Sequence, residues 1–357
     1  MRVLHLIPTL ASGGAERMLT RIAQNDDNQH IIVIFRLINK DSCFYDLPSK
    51  VILVSLEYET QNDFFKAVRR FLNFLDLYNP NVVQTWMYHA NLFGGLIAFF
   101  KGHRNIIWNI RSAEVSFKEM KRTTIIIATI GALISHFVPR KIITCSKRAI
   151  LVHKRLLYKK NKFLYIPNGI HDDYFIDSKK ITNQIPVIGF VARLDPQKNH
   201  YVFLKSLEKI KTPIKLILVG RGVEKLNTKN FKLDHHDIEL FRDTKSIFDF
   251  YDRFDFLILP STYGEAFPNV LIEAMSRGVV CIVSDVGDSF SIVSSSGYQI
   301  RDPYSSNSIS LSIKNALLDF ADRPDKYREK SRKSISIVKQ RYGLRKVISQ
   351  YNQAWFH

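Results

Sequence analysis

Short apolar runs recur along this chain, and most are closed by a polar or glycine-containing turn that leads into a segment of helical spacing. The clearest case runs from Leu257 to Asp288. Phe256 to Leu259 is an apolar run that ends at Pro260, and Ser261 to Glu265 is a polar turn. Asn269 to Arg277 has helical spacing with Val270, Leu271 and Ala274 on one face, and Gly278 ends it. Val279 to Ser284 is a second strand that reads as buried. Strand, helix and strand in repeated alternation predict an α/β fold with doubly wound parallel sheets.

The alternation starts at the first residues. Residues 1–7 read as a strand, 8–16 as a loop holding Gly13 and Gly14, and the following residues through about Gln24 as a helix. Strands are predicted over 30–37, 51–56, 81–85, 106–110, 142–145 and 162–166. Helices are predicted over 63–78, after Asn91 through Phe100, and over 147–157. The first of these is amphipathic, with Phe64, Phe65, Val68, Phe71, Leu72 and Leu75 facing inward. Residues 172–184 are polar and without periodicity, and read as a linker. Strands then return at 187–191, 214–219, 238–241, 256–259, 279–284 and 298–300. Helices are expected at 200–210, 246–251, 269–277, 305–320 and 324–341, with a terminal amphipathic helix over 342–356. A length of 357 residues exceeds what one core usually organises. Two Rossmann-like domains are therefore expected, over 1–171 and 185–341, with segment 342–357 packing back on the first. Two such sheets facing each other would put the carboxyl ends of their strands on one cleft.

Three widely spaced cysteines, Cys43, Cys145 and Cys281, fit neither a metal spacing nor a disulfide framework and suit a reducing compartment. Residues 1–7 read as a strand rather than a signal peptide, so a cytoplasmic location is expected. The net charge of +19 points to an anionic partner. Between Lys101 and Lys162 there are fifteen Lys and Arg against only Glu114 and Glu119. Within that region, Thr123 to Val138 is apolar but shorter than a membrane span of about twenty residues. Lys118, Lys121, Arg122, Arg140 and Lys141 flank it. This composition suits either a buried helix or an interfacial one on anionic lipid.

Several residues could carry chemistry. Gly13-Gly14 after the first strand suits either an anion cradle or a tight strand-to-helix turn. Arg193 and Lys198 flank the Asp195-Pro196 turn after a strand, where two cations suit a diphosphate. Glu265 and Glu273 bracket a loop-to-helix junction, with one in the loop and the other about a turn into the helix.

Taken together, the sequence strongly resembles the retaining glycosyltransferases of family 4, which have the GT-B fold. The resemblance rests on G-G-A-E at 13–16, I-P-N-G at 166–169, G-F-V-A-R-L-D-P-Q-K at 189–198, V-G-R-G at 219–222 and E-A-F-P-N-V-L-I-E at 265–273. The last is the E-x7-E motif and is the most specific. The T-W-M-Y-H-A-N and W-N-I-R segments look like the branch that builds bacterial O-antigen, capsule or other surface polysaccharide. The resemblance implies that Gly14 gives the donor diphosphate a backbone contact, and that Arg193 and Lys198 neutralise its charge. Glu265 would bond the donor sugar. Phe267, Pro268 and Asn269 would pass beneath it, with Val270 and Leu271 near the phosphates, and Glu273 would bind the ribose hydroxyls. Many relatives carry a His after the strand that here reads Ile106 to Ile110; this chain has Asn109 and Arg111 instead. Arg111 and His89 are therefore the first-domain candidates.

The activity so implied is transfer of a hexose or N-acetylhexosamine, without a metal or cofactor, from a UDP- or GDP-linked donor. The acceptor would be a lipid-linked glycan, such as one on polyprenyl diphosphate, at the inner face of the cytoplasmic membrane. A nucleic-acid-binding protein would also explain +19, but no nucleic-acid motif or exposed stacking pattern accompanies the charge. A non-catalytic sugar-nucleotide binder is disfavoured by the presence of both glutamates and both cations.

Overall fold

A computed structural model describes residues 1–11, 13–36, 46–115, 120–179, 183–244 and 246–357. Leu37, Cys43, Lys118 and Glu119, and part of the expected linker, lie outside the described residues. The chain divides into two compact units, Met1–Gly169 with Leu344–His357, and Ile170–Gly343.

The first unit runs β1 (Arg2–Ile7), α1 (Gly14–Asn25), β2 (Gln29–Ile34), β3 (Ile52–Ser55), α2 (Phe64–Tyr78), β4 (Val82–Trp86), α3 (Met87–Phe100), β5 (Ile106–Ile110), α4 (Arg122–Ile134), β6 (Lys141–Thr144), α5 (Lys147–Arg155) and β7 (Phe163–Tyr165). The second runs β8 (Val187–Val191), α6 (His200–Leu207), β9 (Lys215–Val219), β10 (Asp237–Phe241), α7 (Ile247–Arg253), β11 (Phe256–Leu259), α8 (Asn269–Ser276), β12 (Val280–Ser284), α9 (Ser289–Val293), β13 (Tyr298–Ile300), α10 (Ser306–Asp322) and α11 (Pro324–Tyr342). α12 (Leu344–Phe356) completes the first unit.

Among the described residues the sheets are seven-stranded, β3-β2-β1-β4-β5-β6-β7, and six-stranded, β10-β9-β8-β11-β12-β13. The strand pairs of both sheets are parallel. β4, β5 and β12 are buried along their whole length, without alternation. This follows from helices covering both faces of a parallel sheet, so that neither side of a strand meets water.

Three local departures from the sequence expectation have physical causes. α3 begins at Met87, directly after β4, so Tyr88 and His89 lie in its first turn rather than in a loop. The turn is closed by Met87 in the left-handed region, with φ 70°, a conformation seldom adopted outside Gly and Asn. α2 buries Ala67, Phe71 and Leu75, four residues apart. Phe65 is 83% exposed, and Phe64, 44% exposed, meets Phe65 and Phe93 edge-on. α9 is a short helix of mixed Ser and apolar residues whose pattern gave no helical period.

α12 is fastened to the first sheet by polar bonds as well as by packing. Trp355 is fully buried and donates from Nε1 to Gln84 Oε1 at 2.5 Å. Asn352 Nδ2 donates to Asp26 Oδ1 at 2.8 Å. Arg140 donates to the carbonyls of Ala354 and Trp355, at 2.7 and 3.0 Å. A cation there meets the negative end of the helix. From Asp26 a buried chain runs inward: His30 Nε2 lies 2.9 Å from Asp26 Oδ2, His30 Nδ1 2.9 Å from His5 Nε2, and Trp86 Nε1 3.2 Å from His5 Nδ1. An indole N–H can only donate, so this geometry assigns one direction to the chain: Trp86 to His5 to His30 to Asp26.

This chain makes the first unit sensitive to acid. Burial pulls the His5 pKa well below its ordinary value, as does His30 beside it, while Asp26 acts in the opposite direction. His5 is therefore held neutral, and the unfolded chain takes up its proton first as pH falls through about 6.5. Burial would raise the Asp26 pKa, but bonds from His30, Asn352 and Asn28 outweigh it and hold the carboxyl below the usual range. Its contribution is present above the unfolded carboxyl value of about 3.9 and is lost as pH falls toward the depressed folded value. Asp26→Asn should destabilise the first unit by roughly 1–3 kcal/mol at pH 7. Urea unfolding should show the gap to wild type narrowing between about pH 5 and pH 3. A gap that does not change over that interval would contradict the network.

Candidate functional site

In the second unit, successive crossovers leave β8 toward β9 and later reach β11 on the other side, so β8 and β11 flank the switch point. Ligands of open parallel sheets bind at such a point, beyond the carboxyl ends of the strands. The loops after β8 and β11 meet here. Thr262 N donates to Gln197 O at 3.0 Å, and Asn199 Nδ2 donates to Pro260 O at 3.2 Å and to Pro303 O at 2.6 Å. Asn199 itself stands at φ 65°, where its side chain can serve as this tie.

Between these loops, Lys198 Nζ donates to Glu265 Oε1 at 2.5 Å, and Ser261 Oγ donates to the same oxygen at 2.7 Å. The two charged side chains are only 15% and 8% exposed, so the pair is held where its attraction is weakly screened. Oε2 takes part in neither bond. Arg193 stands apart: it is 61% exposed and its Nε lies 3.1 Å from Asp195 Oδ2. Asp195 also accepts from Gln197 N at 3.0 Å, which closes the turn before Lys198. Burial works against the Asp195 charge, but the Gln197 N–H and the Arg193 and Lys198 cations outweigh it and lower the pKa. His200 stacks on Phe190, with ring centres 4.2 Å apart, and burial pushes its pKa down to about 4.

The loop after β12 supports Glu265 from behind. Gly287 has φ 61°, and a Cβ on it would lie 1.8 Å from the Glu265 carbonyl oxygen. Asp288 N donates to Ala266 O at 3.2 Å, and Ser284 Oγ to Ser261 O at 2.5 Å. Pro268 then precedes α8 and gives no side-chain cap to its first turn. Asn269 and Val270 are half-buried there, and Leu271 is buried. Phe267 turns inward and meets Tyr342 edge-on, with ring centres 5.3 Å apart. Glu273 is fully buried one turn into α8 and accepts from Tyr251 Oη of α7 at 3.1 Å. The two glutamates thus hold different partners and do not form an acid/base pair.

The first unit has its own switch point, between β1 and β4. Gly14 opens α1 beyond β1. The Glu16 carboxylate folds back over this turn, where a Cβ on Gly13 would lie 2.2 Å from Glu16 Oε2. Burial raises the Glu16 pKa, while its own backbone N–H and Arg111 act in the opposite direction. Beyond β4 lies His89, exposed, with its pKa drawn down by partial burial. Arg111 follows β5, with its guanidinium 4.7 Å from the centre of the Trp86 ring. It donates to Asn168 Oδ1 at 2.5 Å and to Tyr351 Oη at 2.9 Å. Asn109 is buried and donates to the same phenol oxygen at 3.2 Å. The I-P-N-G turn is therefore a partner of Arg111. Gly169 O of that turn also accepts from Arg21 NH1, at 2.8 Å.

The structure thus brings Lys198 and Glu265 into direct contact, directs Arg193 to Asp195 and Glu273 to Tyr251, and ties Arg111 to Asn168 and Tyr351. Sequence reading did not find Ser261, Tyr251, Gly287 or Tyr351. Ser261 had a weak signal, being a hydroxyl in the same turn as Glu265; Tyr251 and Tyr351 had none. Among the described residues, no group of three or more His, Cys, Asp or Glu is placed to hold a metal ion.

The fold is the GT-B fold of glycosyltransferases, and residues 173–334, nearly all of the second unit, match the family glycosyl transferases group 1. Anabaena Alr3699/HepE, solved in complex with UDP, superimposes with a TM-score of 0.81 at 17% identity, covering 99% of both chains. In sequence the chain is similar to EpsF of Bacillus subtilis (strain 168), assigned as a glycosyltransferase, with 26% identity over 80% of this chain and 79% of that one. It is also similar to the lipopolysaccharide 1,2-N-acetylglucosaminetransferase of Salmonella typhimurium, with 27% identity over 54% of this chain and 56% of that one.

Removing one member of the buried pair should cost more than removing both. Lys198→Met leaves the Glu265 carboxylate without its cation, a loss of roughly 3–5 kcal/mol for a buried charge. Lys198→Met with Glu265→Gln should recover much of it. Thermal unfolding of the single and double variants measures the coupling, and strict additivity would show that the pair does not interact. Gly287→Ala should destabilise the second unit by about 1 kcal/mol or more, because it combines positive φ with a backbone clash. An unchanged melting temperature would contradict the support assigned to that loop.

Proposed function

We propose that this chain is a retaining, metal-independent glycosyltransferase that moves a hexose or N-acetylhexosamine from a UDP- or GDP-linked donor to a lipid-linked glycan. The acceptor is linked to polyprenyl diphosphate or is another glycan, and the product belongs to bacterial surface polysaccharide: O-antigen, lipopolysaccharide or capsule. The observation that carries this reading is the Lys198–Glu265–Ser261 cluster at the β8/β11 switch point. The UDP complex of the Anabaena protein and the lipopolysaccharide activity of the Salmonella relative support the donor and acceptor classes.

In this mechanism the bond between the anomeric carbon and the diphosphate oxygen breaks, and negative charge gathers on the leaving group. Lys198, Arg193 and the first-turn N–H groups of α8 stabilise that charge. The acceptor hydroxyl adds to the anomeric carbon from the same face and gives its proton to the leaving phosphate oxygen, so configuration is retained. Glu265 uses Oε2 to accept a hydroxyl of the donor sugar while Lys198 and Ser261 hold Oε1. Glu273, steadied by Tyr251, accepts from the ribose hydroxyls, a task suited to an acceptor-only carboxylate. Gly14 offers a backbone N–H to the diphosphate, and His89 and Arg111 belong to the acceptor side. The protein works in the cytoplasm at the inner membrane face.

A thermal-shift panel of UDP-, GDP- and ADP-sugars tests the donor class. The matching nucleotide at about a hundred times its Kd should add roughly 2.7 kcal/mol to apparent stability. With that donor and a mixture of lipid-linked acceptors, nucleoside diphosphate release should persist in EDTA. Lys198→Ala should lower turnover by about 10²–10³-fold, as for loss of a group that stabilises developing charge. Unchanged donor affinity and turnover in Glu273→Ala would show that the assigned site is wrong.

A further inference from the structure

α4 and the turn that follows it carry two opposite faces. Ile125, Ala128 and Ala132 are buried, and Tyr158 Oη reaches the Ala128 carbonyl at 2.8 Å. On the outer face Ile126 is 57% exposed, Ile130 41%, Leu133 64% and Phe137 77%. Spacings of four and three residues place Ile126, Ile130 and Leu133 along one side of α4, and Phe137 follows in the turn after it. Four large apolar groups together are a patch rather than scattered surface residues. The segment after α5 extends it. His136 Nε2 lies 3.1 Å from Leu157 O, Lys159 N donates to Ser135 Oγ at 2.9 Å, and Lys162 Nζ donates to Ser135 O at 3.0 Å. These bonds fix Leu157, which is 68% exposed, beside the turn that presents Phe137. Leu157 also has φ 68°, in a region where a turn in water ordinarily uses Gly or Asn.

The charged residues of the segments that form the patch, from Met120 onward, are all cationic. From Met120 to His171 the sequence contains no Asp or Glu. Lys121 and Arg122 are exposed at the start of α4, and Arg155 and Lys160 are exposed near Leu157. A second copy of this chain would bring the same positive charge to the interface. A nucleic acid would satisfy the cations but not an apolar line. An anionic lipid bilayer satisfies both, with acyl chains against the stripe and head groups against the cations. At thirteen residues, α4 is about 20 Å long, less than a hydrocarbon core of about 30 Å. Among the described residues no helix is long and apolar enough to cross a membrane.

We infer that α4, its following turn and the loop at Leu157 form a monotopic docking face that lies in the interface of an anionic bilayer, with Ile126, Ile130, Leu133 and Phe137 inserted among the acyl chains. The inference names the membrane partner within the proposed function, but its geometry lies wholly in the first unit and its test uses no sugar nucleotide, so either can fail without the other.

Co-sedimentation of the full chain with vesicles of phosphatidylcholine, with or without phosphatidylglycerol, tests it. The chain should pellet with the phosphatidylglycerol vesicles and not with phosphatidylcholine alone. Ile130→Asp with Leu133→Asp should weaken this by about tenfold or more, with an unchanged unfolding midpoint because both side chains are exposed. Lys121→Gln with Arg122→Gln and Lys160→Gln should weaken it as well. Phe137→Trp supplies a second reading: its emission should shift to the blue on phosphatidylglycerol vesicles. Binding that ignores the Asp substitutions, or that proceeds without a shift of the new tryptophan, would overturn the inference. So would tight binding to duplex DNA that depends on the basic residues and competes fully with the vesicles.

Discussion

A carboxylate enclosed by protein is stable only when another group meets its charge, and at Glu265 that requirement organises the second unit. Lys198 and Ser261 both reach Oε1. To bring Lys198 there, the loop after β8 must close through Asp195 and Gln197. To keep Glu265 there, the loop after β11 must be supported by Ser284 at the end of β12 and by Gly287 in the loop that follows. Three loops at the carboxyl ends of three strands are thus fixed by one pair of charges. Rigid loops of this kind can present donors and cations to a ligand without reorganising as charge develops.

The first unit shows a different distribution of polar groups. Its buried chain from Trp86 through His5 and His30 to Asp26 ends on Asn352 of α12. Arg111 is likewise shared between Asn168 and Tyr351, and lies on Trp86. These bonds attach α12 and the I-P-N-G turn to the first unit. Positive φ at non-glycine residues of this unit falls elsewhere, at Glu57 and Asn79 as well as at Met87 beside His89 and Leu157 on the α4 face. A strained residue persists only where its surroundings hold it, and such residues gather at functional positions.

Much of the fold was legible because parallel strands leave a plain mark. Runs such as Ile106 to Ile110 and Val280 to Ser284 are apolar without alternation, and the helices between them carry their own period. The charges of the second site were legible for a similar reason: Arg193, Lys198, Glu265 and Glu273 lie in short motifs next to strand ends. Their partners were not. Tyr251 meets Glu273 from another helix and Tyr351 meets Arg111 across most of the chain, and no local pattern encodes such meetings. The inward reading of Phe65 failed because the amphipathic period does not show where a helix begins relative to the core. The direction of Glu16, folded over Gly13, depends on rotamer and burial rather than on motif.

Residues 193–199 and 261–273 are the two segments proposed to hold a nucleoside diphosphate. Hydrogen exchange of the full chain, with and without the nucleoside diphosphate that most raises its melting temperature, measures this directly. Slower exchange concentrated in those two segments, at the backbone N–H groups of the Lys198 turn and the start of α8, is the predicted result. Unchanged exchange there, with protection appearing in other parts of the chain or in none, would contradict it.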